Sequence, residues 1–385
     1  MFLTENRSKE LLSGYGVRIP AGRIAKSETE AVAVAGELGC SRFAVKAQIL
    51  AGGRGLAGGV GFANSPRNAG IEARKILGAR LVTEQTGPEG ETVETVYVEE
   101  AVNFRSSLYF AIVIDQTTAM PALLGSSEGG VEFEEKAARN PDILVTCPLS
   151  ADCSGDNVEI IDFLARMGIP ENHRDGAFDL VNGCVKAFGD LDINILEINP
   201  MAITESGEVL AVDAKISLDD NALFRHPEYE ALSTELQPDP VEQTARENEI
   251  NFVRLGGDIG VVTNGAGLGL ATNDMLIDAG GRPANFMDIR TTATSLQIAK
   301  GVTLLLEDTS VKAVLLNVHG GGMTVCDTVV EGLAFAYSRS ARRPPVIARL
   351  AGQNAPWART ILKDRRLPYE HFESMTSAIA RVVSL

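Results

Sequence analysis

The last third of the chain alternates short apolar segments with longer amphipathic ones, and this pattern constrains the fold more than any other feature of the sequence. Apolar segments predict strands at 258–263, 283–289, 311–318 and 345–350. Helices are predicted near 268–279, 295–306, 325–337 and 354–364. Strands and helices that alternate at this spacing indicate a doubly wound parallel sheet. Ligands of such sheets bind at the carboxyl ends of the strands, where the loops 264–269 and 319–323 fall.

The chain before residue 236 has a different pattern. A short helix is predicted from about residue 4 to residue 13, and strands are predicted at 42–49, 93–99, 108–115, 193–199 and 209–213. A polar turn joins the last two strands, as in a hairpin, and few helices separate the others. We therefore expect an antiparallel α+β region before the parallel α/β region. The segment 236–241 contains two prolines and is predicted to be a linker, which places the domains at residues 1–237 and 238–385.

The charge balance and the apolar segments exclude several classes of partner. Lys and Arg number 35 against 51 Asp and Glu, which gives a net charge of −16. Nucleic acids and anionic membrane surfaces both bind basic faces, so we expect neither as a partner. No stretch approaches the roughly 18 apolar residues of a membrane span, and the charged N-terminal residues do not resemble a signal peptide. We expect a cytoplasmic protein.

The five cysteines do not form a recognisable framework. They stand at positions 40, 147, 153, 184 and 326, with no CxxC spacing. An odd number without that spacing argues against a disulfide framework or a zinc site and fits a reducing cytosol. Cys147 and Cys153 could pair, but two buried free thiols are the favoured interpretation.

The first candidate site is a lysine followed by a glycine-rich loop. Lys46 lies on a predicted strand, and the segment 51–60 holds five glycines and Arg54. Backbone N–H groups of such a loop can surround phosphate oxygens, while a nearby cation neutralises their charge. The loop matches neither GxxxxGK[ST] nor GxGxxG, so the alternative is a mobile surface hairpin.

The second candidate site is the segment 197–200 together with Asp213. On a hairpin, the side chains of Glu197, Asn199 and Asp213 can lie on one face. Carboxylate and amide oxygens suit Mg²⁺ that is bound with a nucleotide. The alternative is a solvated hairpin edge, with the Asn-Pro pair serving as turn chemistry.

The third candidate site is the glycine-rich segment 264–269, which follows an apolar strand and precedes a helix. This context favours an anion at the helix N-terminus, although a tight turn that requires glycine explains the segment equally well. His319 in the nearby VHGGG segment could be a nucleophile or a proton carrier. A single histidine without a visible acid partner is more often structural.

Together these motifs resemble the β subunit of succinate–CoA ligase, an ATP-grasp protein, along nearly the whole chain. The resemblance is carried by VKAQILAGGRGLAGGV (45–60), GARLVTEQTG (78–87), EGGVEFE (128–134), LEINPMAIT (196–204), DDNALFRHP (219–227), DIGVVTNGAGLGLATNDM (258–275), GGRPANFMD (280–288) and VKAVLLNVHGG (311–321). It implies an N-terminal ATP-grasp domain followed by a flavodoxin-like CoA-ligase domain. It also implies Mg²⁺, with ATP or GTP and CoA as co-substrates.

The resemblance assigns roles to individual positions. The phosphate-contacting strand and loop correspond to Lys46, Gly53, Arg54 and Gly55, and the adenosine-contacting hinge to Glu99 and Val102. Asn199 and Asp213 match the Mg²⁺ ligands, and Glu197 matches the acid that assists phosphate transfer to and from a histidine. Asn264 matches a contact to the acid substrate, and Arg290, Gly321, Gly322 and Met323 are further candidate contacts in segments that depart from the family pattern. In the family the phosphorylated histidine and the CoA site belong to an α subunit. Because no GHAGA-like histidine loop is present, this chain is expected to be half of an enzyme.

Several positions depart from the family pattern. Leu56 stands where the family has lysine, and Ser107 stands where it has an acid near the nucleotide. A GGGAT glycine run is replaced by Arg290-Thr291-Thr292, and the GGIVR-type segment is one residue longer at 320–325 and lacks its arginine. Two of these changes fall at the expected acid-binding end of the second domain.

The predicted function is therefore the β-type subunit of an ADP- or GDP-forming acid–CoA ligase. Succinate is the default acid, and malate or a sulfonated acid such as sulfoacetate are alternatives. Two other functions stay open. One is an ATP-grasp ligase that acts alone and joins an acyl phosphate to an amine, and the other is a nucleotide-binding subunit whose catalysis has lapsed. The sequence does not distinguish an αβ from an α₂β₂ assembly.

Overall fold

The computed structural model describes residues 1–86, 90–153, 157–229, 232 and 239–385. The chain forms two compact units, Met1–Ser233 and Thr234–Leu385. Part of the predicted linker, 236–238, lies outside the described residues, and the boundary between residues 237 and 238 stays a prediction. The end of that segment begins a helix, because the Asp239 side chain accepts hydrogen bonds from the backbone N–H groups of Val241 and Glu242.

The first unit begins with helix α1 (Glu5–Gly14) and a four-stranded antiparallel sheet. The strands are β1 (Gly22–Ala25), β2 (Phe43–Ala47), β3 (Val60–Ala63) and β6 (Val96–Glu100), in the order β1-β6-β2-β3. Helices α2 (Glu28–Leu38) and α3 (Pro66–Ile76) pack against this sheet through small and branched apolar side chains. A two-stranded ribbon of β4 (Arg80–Leu81) and β5 (Glu91–Thr92) follows.

A second, six-stranded antiparallel sheet completes the first unit. Its strands are β7 (Phe104–Asp115), β8 (Met120–Ser126), β9 (Val145–Pro148), β10 (Ile193–Thr204), β11 (Val209–Ala211) and β12 (Ala214–Leu218). Its helices are α4 (Phe133–Arg139), α5 (Asn157–Arg166) and α6 (Glu171–Asp190), with 3₁₀ turns at Pro141–Ile143 and Asp220–Arg225. The long strand β10 pairs with β11 along its second half and with β12 along its first half.

The second unit is built around one six-stranded sheet in the order β13-β15-β14-β16-β17-β18. Its strands are β13 (Asn251–Arg254), β14 (Ile259–Asn264), β15 (Asn285–Ile289), β16 (Ala313–Gly320), β17 (Val346–Gly352) and β18 (Tyr369–His371). Its helices are α7 (Pro240–Glu247), α8 (Ala266–Asp278), α9 (Ser295–Glu307), α10 (Cys326–Arg339), α11 (Ala355–Asp364) and α12 (Met375–Val383). All pairings are parallel except the one between β13 and β15.

The expected fold class is confirmed: an antiparallel α+β unit precedes a unit with a parallel sheet. The four predicted strands of the second unit correspond to β14–β17 within a few residues. Strands β13 and β18 were not predicted, because they are short edge strands with half-exposed side chains. In the part of the chain that the structure describes, no helix is long and apolar enough to span a membrane.

All five cysteines are free thiols. Cys147 is buried and Cys153 is half-buried, and the two do not form the disulfide considered from the sequence. The prediction of free thiols is confirmed for both residues. The prediction that both are buried is confirmed for Cys147 and wrong for Cys153.

Candidate active site

A cavity of about 620 Å³ in the first unit is the candidate active site. Strand β2, the glycine-rich loop, strand β10 and the turn between β11 and β12 all contribute to its lining. It brings together residues that are far apart in sequence and that were singled out from the sequence: Lys46, Arg54, Glu197, Asn199 and Asp213. Gly53, Gly55, Glu99 and Val102 also line it.

Lys46 projects from β2 into this cavity with all three N–H donors engaged. Its Nζ lies 2.7 Å from Glu5 Oε1, 2.6 Å from Glu99 Oε1 and 3.0 Å from the carbonyl oxygen of Val212. Burial alone would lower the pKa of Lys46, but Glu5, Glu99 and then Asp213 outweigh burial and raise it. Lys46 is therefore a fixed cation, and a phosphate oxygen could replace its neutral partner, the Val212 carbonyl.

Arg54 is the second cation, supplied by the glycine-rich loop. Its Nη1 donates to the carbonyl of Ala47 at 2.7 Å, which ties the loop to the end of β2. Its Nη2 lies 2.8 Å from Glu5 Oε2 and 3.0 Å from Asp213 Oδ2. The loop is therefore not the free surface hairpin considered as an alternative, because its arginine is buried and bonded on three sides.

Two residues that the sequence did not single out complete the charged cluster. Glu5 and Lys9 lie on α1, and their side chains are 1% and 0% exposed. Lys9 Nζ lies 2.8 Å from Glu5 Oε1 and 2.6 Å from Glu99 Oε2. The sequence did contain a signal for these two residues. Glu5, Ser8, Lys9 and Leu12 are spaced at i, i+3, i+4 and i+7, which places them on one helical face, and the structure buries all four. Charged residues on the buried face of a helix indicate a specific partner.

Glu99 has a different placement from the one its predicted adenosine contact suggests. Its backbone lies in β6 between β1 and β2, and its carboxylate contacts Lys9 and Lys46. The Glu99 carboxylate thus forms ion pairs with the two lysines. Val102 lines the cavity just after the end of β6. A contact between Glu99 and adenosine stays a prediction.

The acidic side of the cavity is formed by β10 and the turn that follows β11. Glu197 and Asn199 alternate with fully buried Ile198, so both point to the cavity face of the strand. Burial, followed by the nearby charge of Glu134, raises the pKa of Glu197 to about 7, with Lys215 acting in the opposite direction and Asp213 adding to the rise. A carboxyl group in this state can hold or release a proton near neutral pH.

Asn199 and Asp213 provide oxygen atoms that suit a hard cation. Asn199 Oδ1 accepts a hydrogen bond from the N–H of Gly130 at 2.6 Å, and its amide group donates to the carbonyl of the same residue at 3.3 Å. The amide oxygen retains a second lone pair. Among the described residues, no group of three or more His, Cys, Asp or Glu side chains could hold a metal ion by itself. Two protein oxygens fit Mg²⁺, which commonly takes its remaining ligands from phosphates and water.

Two departures from the family pattern also lie at this cavity. Leu56 is 75% exposed on the glycine-rich loop, and Ser107 on β7 lines the cavity. Neither position supplies a charge.

In the second unit, Asn264 connects the ends of two parallel strands. Its Oδ1 accepts from the N–H of His319 at 2.9 Å, and its Nδ2 donates to the carbonyl of the same residue at 2.9 Å. The imidazole of His319 is exposed, and it forms no ion pair with any carboxylate of the described residues.

Arg290 lies at the exposed end of β15. Its Nε and Nη2 donate to Asn251 Oδ1 at 3.3 and 3.1 Å. The Thr324 hydroxyl donates to the carbonyl of Thr291 at 3.1 Å, which joins the loop after β15 to the loop after β16. That second loop carries Gly321, Gly322 and Met323, and Met323 is 74% exposed. The structure thus brings the two altered segments together.

Comparisons with known proteins agree with both halves of this description. Residues 2–203 match the model of the ATP-grasp domain, and residues 262–382 match that of the CoA-ligase domain. The chain is 38% identical over 384 residues to the succinate–CoA ligase [ADP-forming] subunit beta of Burkholderia lata, covering 100% of this chain and 99% of that protein. It is 39% identical over 371 residues to the protein of the same name from Pelodictyon phaeoclathratiforme, covering 95% and 94%.

A solved structure shares the fold. ATP citrate lyase from Methanothrix soehngenii, in complex with citrate and coenzyme A, aligns with a TM-score of 0.73 at 15% identity, covering 100% of this chain and 99% of that one. At this identity the similarity shows the fold alone. The two matched domains define an ATP-grasp protein with a CoA-ligase domain. From its relatives, the chain belongs to the family of β subunits of ADP-forming succinate–CoA ligases.

Proposed function

We propose that this chain is the β-type subunit of an ADP-forming carboxylate–CoA ligase and that it binds Mg·ATP in the cavity of the first unit. The observation that carries the proposal is the arrangement of two cations, Lys46 and Arg54, opposite the oxygen donors Asn199 and Asp213 in one cavity. The curated relatives are named as ADP-forming, which favours ATP, while the preference between ATP and GTP is left to measurement.

The cations act on the charge of the phosphoryl group. Lys46 can exchange the Val212 carbonyl for a phosphate oxygen, and Arg54 can exchange Asp213 for another. Phosphoryl transfer is accelerated mainly by positioning and by stabilisation of charge on the transferred group. Glu197, whose pKa is raised to about 7, is placed to assist transfer of the phosphate to and from a histidine.

Asn199 and Asp213 would hold Mg²⁺, which when bound neutralises charge on the phosphate oxygens. Arg54 leaves Asp213 when it takes up a phosphate oxygen, which frees the carboxylate for this role.

We propose that the other half of the enzyme is a partner α subunit, which carries the phosphorylated histidine and the CoA site. The relatives are named as beta subunits, which supports a partner of this kind. His319 is a weak candidate for the phosphate carrier, because no described carboxylate pairs with it. We propose that the assembly is cytoplasmic, because free thiols fit a reducing compartment.

A labelling experiment tests the proposed division of labour. The full chain is incubated with Mg·ATP labelled in the γ-phosphate, with and without the subunit that co-purifies with it. We expect labelled phosphate on the partner and none retained on this chain alone. Label retained on this chain, and lost in His319→Ala, would overturn the proposal. An absence of label on both subunits would support the alternative of a lapsed, nucleotide-binding subunit.

The acid substrate is a separate part of the proposal. Succinate follows from the names of the relatives, and the altered loops at 290–292 and 320–325 favour a related short acid, malate or a sulfonated acid such as sulfoacetate. A guanidinium at Arg290 offers paired donors that match a carboxylate or a sulfonate. Measuring CoA-dependent phosphate release with these acids identifies the substrate, and a replacement of CoA by amines in the same assay tests the lone-ligase alternative.

A further inference from the structure

We propose that Glu5 and Lys9, on the N-terminal helix α1, are positioning residues that set the direction and the charge balance of the two phosphate-facing cations. The proposal rests on the proposed function of Lys46 and Arg54 as ligands of the nucleotide phosphates. It goes beyond that function by assigning a role to a helix that no motif in the sequence links to the nucleotide.

The four charged side chains form a closed ring of alternating sign. Lys46 contacts Glu5 at 2.7 Å and Glu99 at 2.6 Å, and Lys9 contacts the same two carboxylates at 2.8 and 2.6 Å. Each carboxylate therefore bridges two lysines, and each lysine bridges two carboxylates. Such a ring fixes the Lys46 ammonium from two sides, which a single ion pair cannot do.

Glu5 extends this control to the second cation. Its Oε1 contacts both lysines, while its Oε2 contacts Arg54 at 2.8 Å. Burial alone would raise the pKa of Glu5, but Lys46, Lys9 and Arg54 together outweigh burial and hold the pKa well below its ordinary value. One carboxylate that is ionised at neutral pH thus holds both cations that are proposed to meet the phosphates.

Lys9 acts through the carboxylates and not on the ligand. It is fully buried and does not line the cavity, whereas Glu5, Lys46, Arg54 and Glu99 do. With Lys9 present, Glu5 and Glu99 share their charge between two lysines. Without it, Glu99 would compensate Lys46 alone and Glu5 would compensate Lys46 and Arg54, so the cluster facing a triphosphate would carry one positive charge fewer.

Helix α1 is held firmly enough to serve as a support. Leu11 and Leu12 are buried, and the backbone N–H of Asn6 donates to Gln48 Oε1 at 3.0 Å, just after β2. The backbone N–H of Leu3 donates to the carbonyl of Ile216 in β12 at 2.9 Å. The start of the helix is therefore tied to the residue that follows β2, and the chain just before the helix is tied to β12, so Glu5 and Lys9 have defined positions.

Nucleotide binding to the full chain separates positioning from simple loss of structure. We would measure the affinity of the wild-type chain and of Lys9→Met for ATP, ADP and AMP in the presence of Mg²⁺, by titration calorimetry. The expected result is a loss of about tenfold or more for ATP, a smaller loss for ADP and a change within about twofold for AMP. Wild-type affinity for ATP, or an equal loss for all three nucleotides, would overturn the assignment.

A matched control lies on the same helix. Glu10 is 70% exposed in a surface pair with Arg7, so Glu10→Gln changes one charge of α1 without touching the ring. Its ATP affinity is expected to stay within about twofold of the wild type. Lys46→Met separates a failure of the proposed function from a failure of the positioning role. If Lys46→Met keeps its ATP affinity, the proposed function is wrong. If it loses affinity and Lys9→Met does not, only the positioning role is wrong.

A double variant keeps the test decisive if Lys9→Met does not fold. Glu5→Gln with Lys9→Met removes one charge of each sign, so Lys46 retains Glu99 and Arg54 retains Asp213. With the charge balance kept, ATP affinity is expected within a few-fold of the wild type. Phosphate transfer in the purified complex should nevertheless slow by about tenfold or more, because the ring no longer directs Lys46. Transfer at the wild-type rate would overturn the proposal.

Discussion

The two polar regions of the molecule are built in opposite ways. In the first unit, Lys46, Arg54, Glu5 and Glu99 are buried, and each of these four charges has at least two partners. At the ends of β15 and β16 in the second unit, the polar groups are mostly exposed, and Arg290 has a neutral amide oxygen as its side-chain partner.

This difference indicates that the charged cluster of the first unit tolerates fewer substitutions than the exposed loops of the second unit. A change to one charge in the first region leaves another buried charge without compensation, which is costly. A change to the exposed loops of the second unit costs little in stability, so that region can be altered to suit another acid. The departures at 290–292 and 320–325 fall in the region that tolerates change.

The largest effect is expected from Glu5→Gln. The substitution removes a carboxylate that is 1% exposed and that contacts Lys9, Lys46 and Arg54. Breaking a buried ion pair on one side typically costs about 3–5 kcal/mol of folding free energy. Thermal unfolding of the first unit should show this loss, while exposed Glu10→Gln should stay within about 0.5 kcal/mol. Equal stability of the two variants would mean that the ring does not stabilise the unit.

The same variant makes a prediction about pH. The folded-state pKa of Glu5 is lowered, so its contribution to stability is complete above its ordinary pKa and is lost as the pH falls through the folded value. The difference in stability between the wild type and Glu5→Gln should therefore shrink when the pH is lowered below about 4.5. A difference that grows towards acid pH would contradict the ionised state assigned to Glu5.

The next largest effect concerns the oxygen donors. Asp213→Ala and Asn199→Ala should each reduce Mg²⁺-dependent phosphate transfer by about 100- to 1000-fold, because each removes a proposed ligand of the cation. Both residues are half-exposed, so the fold should persist, which circular dichroism would check. Phosphorylation of the partner at the wild-type rate by either variant would remove that residue from the metal site.

The sequence could predict the parts of the site that depend on local pattern. Lys46, the glycine-rich loop and the hairpin around Asp213 each lie within one strand, loop or turn, and the structure places all of them at one cavity. The partners of these groups could not be predicted in the same way. Lys9 and Glu99 are 90 residues apart, and Arg54 and Asp213 are 159 residues apart, so only the packing of the first unit brings them together.

A moderate effect is expected from Arg290→Gly. If its guanidinium binds the acid, the variant should lose about tenfold or more in kcat/KM for the acid with little change for ATP, since a hydrogen bond to a charged group is worth about 1.5–3 kcal/mol. The measurement is the acid dependence of CoA-dependent phosphate release. If all acids turn over equally and the variant behaves as the wild type, the altered loops do not determine the substrate.

The smallest effect is expected for a surface ion pair of the second unit, between half-buried Asp258 and two exposed cations. Asp258 lies 2.9 Å from both Arg282 and Lys312, whose side chains are 70% and 75% exposed. Exposed pairs contribute about 0.2–1 kcal/mol and are screened by salt. Asp258→Asn should therefore lower the melting temperature slightly at low salt and by less in 1 M salt, where the Debye length falls to about 3 Å. A loss as large as that of Glu5→Gln would remove the contrast between the two units.

The most direct test of the contrast is the affinity of the full chain for Mg·ATP in two arginine variants. Arg54→Met removes a buried cation that lines the cavity, and Arg290→Met removes an exposed one in the second unit. The account predicts a loss of about tenfold or more for Arg54→Met and a change within about twofold for Arg290→Met. Equal losses in the two variants, or no loss in Arg54→Met, would contradict the placement of the nucleotide in the cavity of the first unit.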